Sequence, residues 1–211
     1  MNTMIKCIIF DCDGTLVDSE YLCNLGLEIK LRDYGVESSA TKMMEQFRGG
    51  KLATILQTIE SQHQIKLRDD FVGLYRELVD ELFEKDLKPC EGVSAALTEI
   101  NLPKCVASSG PLEKINKALS ISGLSRYFES NVFSSYVVGS WKPAPGLFLH
   151  AAKEMGFQPR ECAVVEDSVV GVVAAKSAGM RSILYDPNGI HDPELSPFTI
   201  QHMKELQAAI T

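Results

Sequence analysis

Two kinds of apolar pattern alternate along the chain. Short, almost wholly apolar stretches occur at residues 4–10 (interrupted only by Lys6), at Lys104-Cys105-Val106-Ala107, Val132-Phe133, Cys162-Ala163-Val164-Val165 and Ser182-Ile183-Leu184-Tyr185. Runs this short and continuous predict strands buried on both faces. Between them, apolar residues recur every three or four positions and predict helices over residues 92–100, 112–121, 145–155 and 169–178. Strands alternating with helices imply right-handed crossovers and a parallel sheet. One long segment breaks the series. From residue 19 to residue 86 the spacing is helical, with stripes at Leu22, Leu25, Ile29 and Leu31, at Leu52, Ile55, Leu56 and Ile59, and at Phe71, Leu74, Leu78 and Leu82. Gly35 stands as the stop of the first of these helices. The stripes read as the core of a small helical bundle. The predicted fold is therefore α/β: a doubly wound, Rossmann-like parallel sheet from residues 1–16 and 86–211, with a helical cap domain inserted at residues 17–85.

Polar residues gather where the predicted strands end. The first strand stops at Asp11-Cys12-Asp13-Gly14-Thr15. In an open α/β sheet the carboxyl ends of the strands are where ligands bind. Two carboxylates at i and i+2 can be aimed to one side of the chain, and so close together they repel unless a cation or a proton intervenes. Gly14 permits the tight turn that follows. The second strand runs into Ser108-Ser109-Gly110-Pro111, a hydroxyl and free amides ahead of a helix, which suits a phosphate oxygen. Alone, a serine there is as easily an ordinary N-cap. Ser140-Trp141-Lys142-Pro143-Ala144-Pro145 is a rigid lead-in to a helix, and Pro143 restricts Lys142 to a defined position. Trp141 reads as packing. The strand 162–165 then ends in a second acidic pair, Glu166-Asp167, followed by Ser168 and Gly171. Four carboxylates at adjacent strand ends call for a divalent cation, and oxygen-only ligation favours Mg²⁺ over zinc.

Composition narrows the function classes. The 211 residues carry a net charge of −7 and a pI near 5.2, which argues against nucleic acid and against anionic membrane surfaces as partners. An anionic substrate must then be drawn in by a few local cations and a metal. Six cysteines without a C-x-x-C pair or a histidine at zinc-ligand spacing predict reduced thiols in a cytoplasm, and Cys7, Cys105 and Cys162 read as small buried hydrophobes. The N-terminal apolar run is too short for a signal peptide, and no stretch approaches a transmembrane span.

The four segments, in this order and spacing, resemble the motifs of the haloacid dehalogenase-like hydrolase superfamily, within it the β-phosphoglucomutase-like phosphatase group. The resemblance covers essentially the whole chain, and it implies a phosphoric monoester hydrolase acting through a phospho-aspartyl intermediate. Carried over position by position, it makes Asp11 the nucleophile and Asp13 the acid and base. Mg²⁺ would be held by Asp11, the main-chain carbonyl of Asp13 and Asp167, with Glu166 as a ligand or close by. Lys142, Ser108, Ser109 and the amides around Cys12 would hold the phosphoryl group.

The cap should select the ester. Its loop Phe47-Arg48-Gly49-Gly50-Lys51-Leu52 sets two cations around two glycines, and in similar enzymes this loop closes over the substrate. Arg48, Gly49 and Lys51 are the specificity candidates, the bland alternative being an exposed turn. A small sugar or polyol phosphate is the expected substrate. The subgroup acting on 6-phosphogluconate is similar in its cap loop and in Ser109-Gly110-Pro111, and the terminal carboxylate of that ester would suit Arg48 and Lys51. A sugar phosphomutase is the alternative, weakened because Cys23 stands where that group carries a histidine. A dehalogenase would lack the second aspartate, and a phosphoacceptor signalling module would lack the large insertion.

Overall fold

The computed structural model describes residues 4–211. The chain forms two compact units, one made of the residues up to Val17 together with Pro89–Thr211, the other of Asp18–Lys88. In the first unit six strands form one sheet: β1 (Cys7–Phe10), β2 (Lys104–Ser108), β3 (Val132–Ser134), β4 (Cys162–Glu166), β5 (Arg181–Tyr185) and β6 (Phe198–Ile200). Their spatial order is β3-β2-β1-β4-β5-β6, and every neighbouring pair is parallel. The fold is thus α/β and Rossmann-like, with its order reversing where β1 lies between β2 and β4. That reversal opens a crevice at the carboxyl ends of those three strands.

β1 is shorter than its apolar run: its register with β4 begins at Cys7 opposite Cys162, preceded by the Lys6 amide donating to the Glu161 carbonyl at 2.8 Å. Met4 is exposed. The central strands are buried along their length, and Cys7, Cys105 and Cys162 pack with Leu147, Phe148 and Ala151 in one apolar cluster. All six cysteines are free thiols. Three elements of this unit were not anticipated, the edge strand β6, a short helix over Ser135–Val138 and a C-terminal helix over Leu206–Ile210.

The unit of residues 18–88 holds α1 (Glu20–Leu31), α2 (Ala40–Phe47), α3 (Leu52–His63) and α4 (Phe71–Asp86). Ser39 caps α2 by accepting from the Lys42 amide. The buried stripe of α4 is Phe71, Tyr75, Val79 and Phe83, not the leucines: Leu74 is exposed. Gly26 lets α1 approach α4 closely, since a Cβ there would lie 2.8 Å from Val79 Cγ2. In the first unit the helices are α5 (Val93–Glu99), α6 (Leu112–Ile121), α7 (Ser135–Val138), α8 (Gly146–Glu154), α9 (Val169–Ser177) and α10 (Leu206–Ile210). No helix among the described residues is long and apolar enough to cross a membrane.

Candidate active site

β1 delivers Asp11 directly after its last residue, and the Asp11 amide donates to the Val165 carbonyl of β4 at 3.0 Å. That bond brings the ends of β1 and β4 together, and Glu166 and Asp167 follow on β4. Asp11, Glu166 and Asp167 are all buried, and each places a carboxylate oxygen within 4.8 Å of the others. Lys142 reaches into the group from the turn ahead of α8. Its Nζ donates to Asp11 Oδ1 at 2.5 Å and to Glu166 Oε1 at 2.7 Å, with its side chain only 4% exposed. The Lys142–Pro143 peptide bond is cis.

Three carboxylates therefore face one buried ammonium. Burial above all, and the neighbouring Glu166 charge, push the Asp11 carboxyl up to about 8, against the pull of Lys142. Burial works against the charge on Lys142, but Asp11 and Glu166 outweigh it and raise its pKa. An excess of negative charge in an oxygen-only donor set fits a hard divalent cation. The residues present thus suit Mg²⁺.

Glu166 is held at both carboxylate oxygens. While Oε1 accepts from Lys142, Oε2 accepts from the Ser168 amide at 3.1 Å and the Ser168 hydroxyl at 2.6 Å. Ser168 in turn caps α9 by accepting from the Gly171 amide. Gly171 has to be glycine: a Cβ there would lie 1.8 Å from Glu166 Oε2. Gly14 has the same relation to Asp167, with a Cβ falling 2.3 Å from its Oδ2 at a φ of +77°. The buried Thr15 hydroxyl donates to Asp167 Oδ1 at 3.3 Å.

The other sequence-predicted residues are placed as follows. Ser108 ends β2, buried, and its hydroxyl accepts from the Gly110 amide at 3.1 Å. Ser109 is half-buried in the turn to α6. Cys12 is buried, its carbonyl accepts from the Leu16 and Val17 amides, and burial followed by the Asp13 and Asp11 charges raises its thiol pKa. The Asp13 carboxylate is not in the three-acid group. Both its oxygens accept from Lys114 Nζ, at 2.7 and 2.8 Å. Sequence reasoning missed Lys114, whose only signal was a cation in the first turn of α6. Arg48, Gly49 and Lys51 lie in the other unit, in the turn joining α2 to α3, where Gly49 takes a φ of +70°.

Residues 5–179 match the haloacid dehalogenase-like hydrolase family. Over 207 residues the chain is 34% identical to 6-phosphogluconate phosphatase of Escherichia coli, covering 96% of this chain and 93% of that one. Hexitol phosphatase B of the same organism is 28% identical over 214 residues, covering 97% and 95%. A solved structure of a haloacid dehalogenase-like protein of unknown function from Agrobacterium tumefaciens superposes with a TM-score of 0.85 at 34% identity, covering 98% and 97% of the two chains.

Proposed function

The chain belongs to the haloacid dehalogenase-like hydrolase family and is a phosphoric monoester hydrolase, and from that premise we propose that it is a Mg²⁺-dependent phosphatase of small sugar and polyol phosphates, with 6-phosphogluconate as its preferred ester. The observation that carries the chemistry is the buried Lys142 between Asp11 and Glu166, beside Asp167. The likeness to 6-phosphogluconate phosphatase along nearly the full length of both chains supports the ester.

In this reading Asp11 Oδ attacks phosphorus and forms an aspartyl phosphate, dividing one hard displacement into two easier ones. Asp13 gives a proton to the leaving alkoxide and then takes one from the water that hydrolyses the intermediate. Lys142 orients the nucleophile and, together with the cation, favours its charged form, and with Ser108, Ser109 and the Cys12 amide it meets the equatorial phosphoryl oxygens. Mg²⁺, held by Asp11, Asp167 and the Asp13 carbonyl, would neutralise charge on the transferring group. Glu166 has both oxygens engaged by Lys142 and Ser168, so its part is to hold the lysine and to meet the cation directly or through a water. Six free thiols fit work in a reducing cytoplasm.

A panel of phosphate esters assayed with Mg²⁺ tests the reading. The expected order places 6-phosphogluconate above glucose 6-phosphate and 2-phosphoglycolate in kcat/KM, with activity lost in excess chelator and restored by Mg²⁺. A better rate on glucose 6-phosphate or 2-phosphoglycolate would remove the ester assignment and leave the phosphatase. Full activity in chelator would remove the metal.

A further inference from the structure

Each of the two aspartates that follow β1 has a lysine of its own. Lys142 holds Asp11 from within the buried acidic group, whereas Lys114 holds Asp13 by both oxygens, at 2.7 and 2.8 Å. The second pair is more open, with side chains 24% and 22% exposed. Lys114 is the third residue of α6. A cation in the first turn of a helix sits at the positive end of its dipole, where it costs rather than contributes. Local helix chemistry therefore gives no reason for a lysine there, and Asp13, 101 residues distant in sequence, does. A Cβ on Gly110 would lie 3.7 Å from Lys114 Cδ and 3.6 Å from the Ser108 hydroxyl oxygen, so the lysine stem borders the turn that follows β2.

A carboxylate is the form of Asp13 that can accept from Lys114 at both oxygens. In the proposed cycle that is its form after the first step. There the P–O bond to the sugar breaks with its electron pair on the alkyl oxygen, the Asp13 carboxyl gives that oxygen a proton, and Asp11 Oδ bonds to phosphorus. In the second step water attacks phosphorus, the Asp13 carboxylate takes one of its protons, and the Asp11–phosphorus bond breaks to release inorganic phosphate. We infer that Lys114 is the positioning residue for this second step, fixing the Asp13 carboxylate by both oxygens in the orientation from which it takes the proton of the attacking water. The inference rests on the phosphatase reading.

The test is Lys114→Met, which keeps the stem and removes the ammonium, assayed on 6-phosphogluconate and on p-nitrophenyl phosphate with Mg²⁺. Because kcat/KM reports only steps through formation of the aspartyl phosphate, it should stay within about threefold, while kcat falls about 10- to 100-fold, part of what a general base supplies. KM falls in parallel, both esters converge on one kcat, and p-nitrophenol appears in a burst approaching one equivalent per site. Lys114→Arg should restore kcat in large part. Losses of kcat and kcat/KM together without a burst, as a merely structural role would produce, overturn the inference, as does an unchanged kcat. A wild-type protein that turns over neither ester defeats the phosphatase reading instead.

Discussion

Burial makes Lys142 and Asp11 interdependent. An ammonium 4% exposed is tolerable only because two carboxylates lie at 2.5 and 2.7 Å, and removing it would strand both acids without a cation. The charge is still unbalanced, and that imbalance has a sign that can be measured. Asp11, with an ordinary value of 3.8, is pushed up to about 8, first by burial and then by the Glu166 charge. A carboxyl whose folded value is raised holds its proton more tightly in the folded chain. Its contribution to stability is present below its ordinary value and is lost as pH rises through about 8. A divalent cation needs the ionised form and so competes with that proton. Mg²⁺ should accordingly raise the melting temperature more at pH 8.5 than at pH 6.5, and its affinity by titration calorimetry should strengthen in the same direction. Equal shifts at the two pH values, or a larger one at the lower, would mean that the cation does not meet Asp11.

At the scale of elements, the helix behind β4 is arranged around an acid. Glycine within a helix ordinarily costs up to about 1 kcal/mol relative to alanine, so Gly171→Ala in the first turn of an open helix would be neutral or stabilising. Here the added methyl would fall 1.8 Å from Glu166 Oε2. Forcing it in costs about 1–3 kcal/mol as overpacking, enough to reverse the sign. It also turns Glu166 away from Lys142, and misplacement of this order costs about 100-fold in rate. Denaturant melts and kcat for Gly171→Ala should fall together, and a variant with wild-type kcat would show that Glu166 does not position the lysine. The elements themselves were unequally legible. β1, β2, β4 and β5 stand out because strands buried on both faces need unbroken apolar runs, and the acids at their ends mark the crevice. β6 has three residues after Ser196-Pro197 and no such run. α4 offers two stripes of equal helical spacing, Phe71/Tyr75/Val79/Phe83 and Leu74/Leu78/Leu82, and periodicity does not choose between them; the aromatic one is buried. Lys114 was invisible for another reason, since its partner is 101 residues away and only the closed sheet brings them together.

At the scale of the whole molecule, a chain of net charge −7 must attract an anionic ester. Its overall field opposes that encounter, so the attraction falls to local cations against the background charge. The core unit supplies Lys142 and Lys114, both already committed to carboxylates. In our reading the choice among esters then belongs to the helical unit, through Arg48 and Lys51 in the turn between α2 and α3. Gly49 at a φ of +70° and the Gly50 amide bonded to the Phe47 carbonyl at 2.9 Å give that turn a defined shape. A sugar acid phosphate carries a carboxylate at the end remote from phosphorus, a charge that neither glucose 6-phosphate nor p-nitrophenyl phosphate has. Arg48→Ala or Lys51→Ala should therefore lower kcat/KM for 6-phosphogluconate by about 10-fold or more, on the order of 1–3 kcal/mol for a charge-assisted contact. Glucose 6-phosphate and p-nitrophenyl phosphate should lose much less, because they carry no remote carboxylate for these cations to read. The three esters measured side by side on each variant decide the matter: uniform losses would place the turn in folding or in motion rather than in recognition, and a loss confined to the sugar acid would fix where its carboxylate is read.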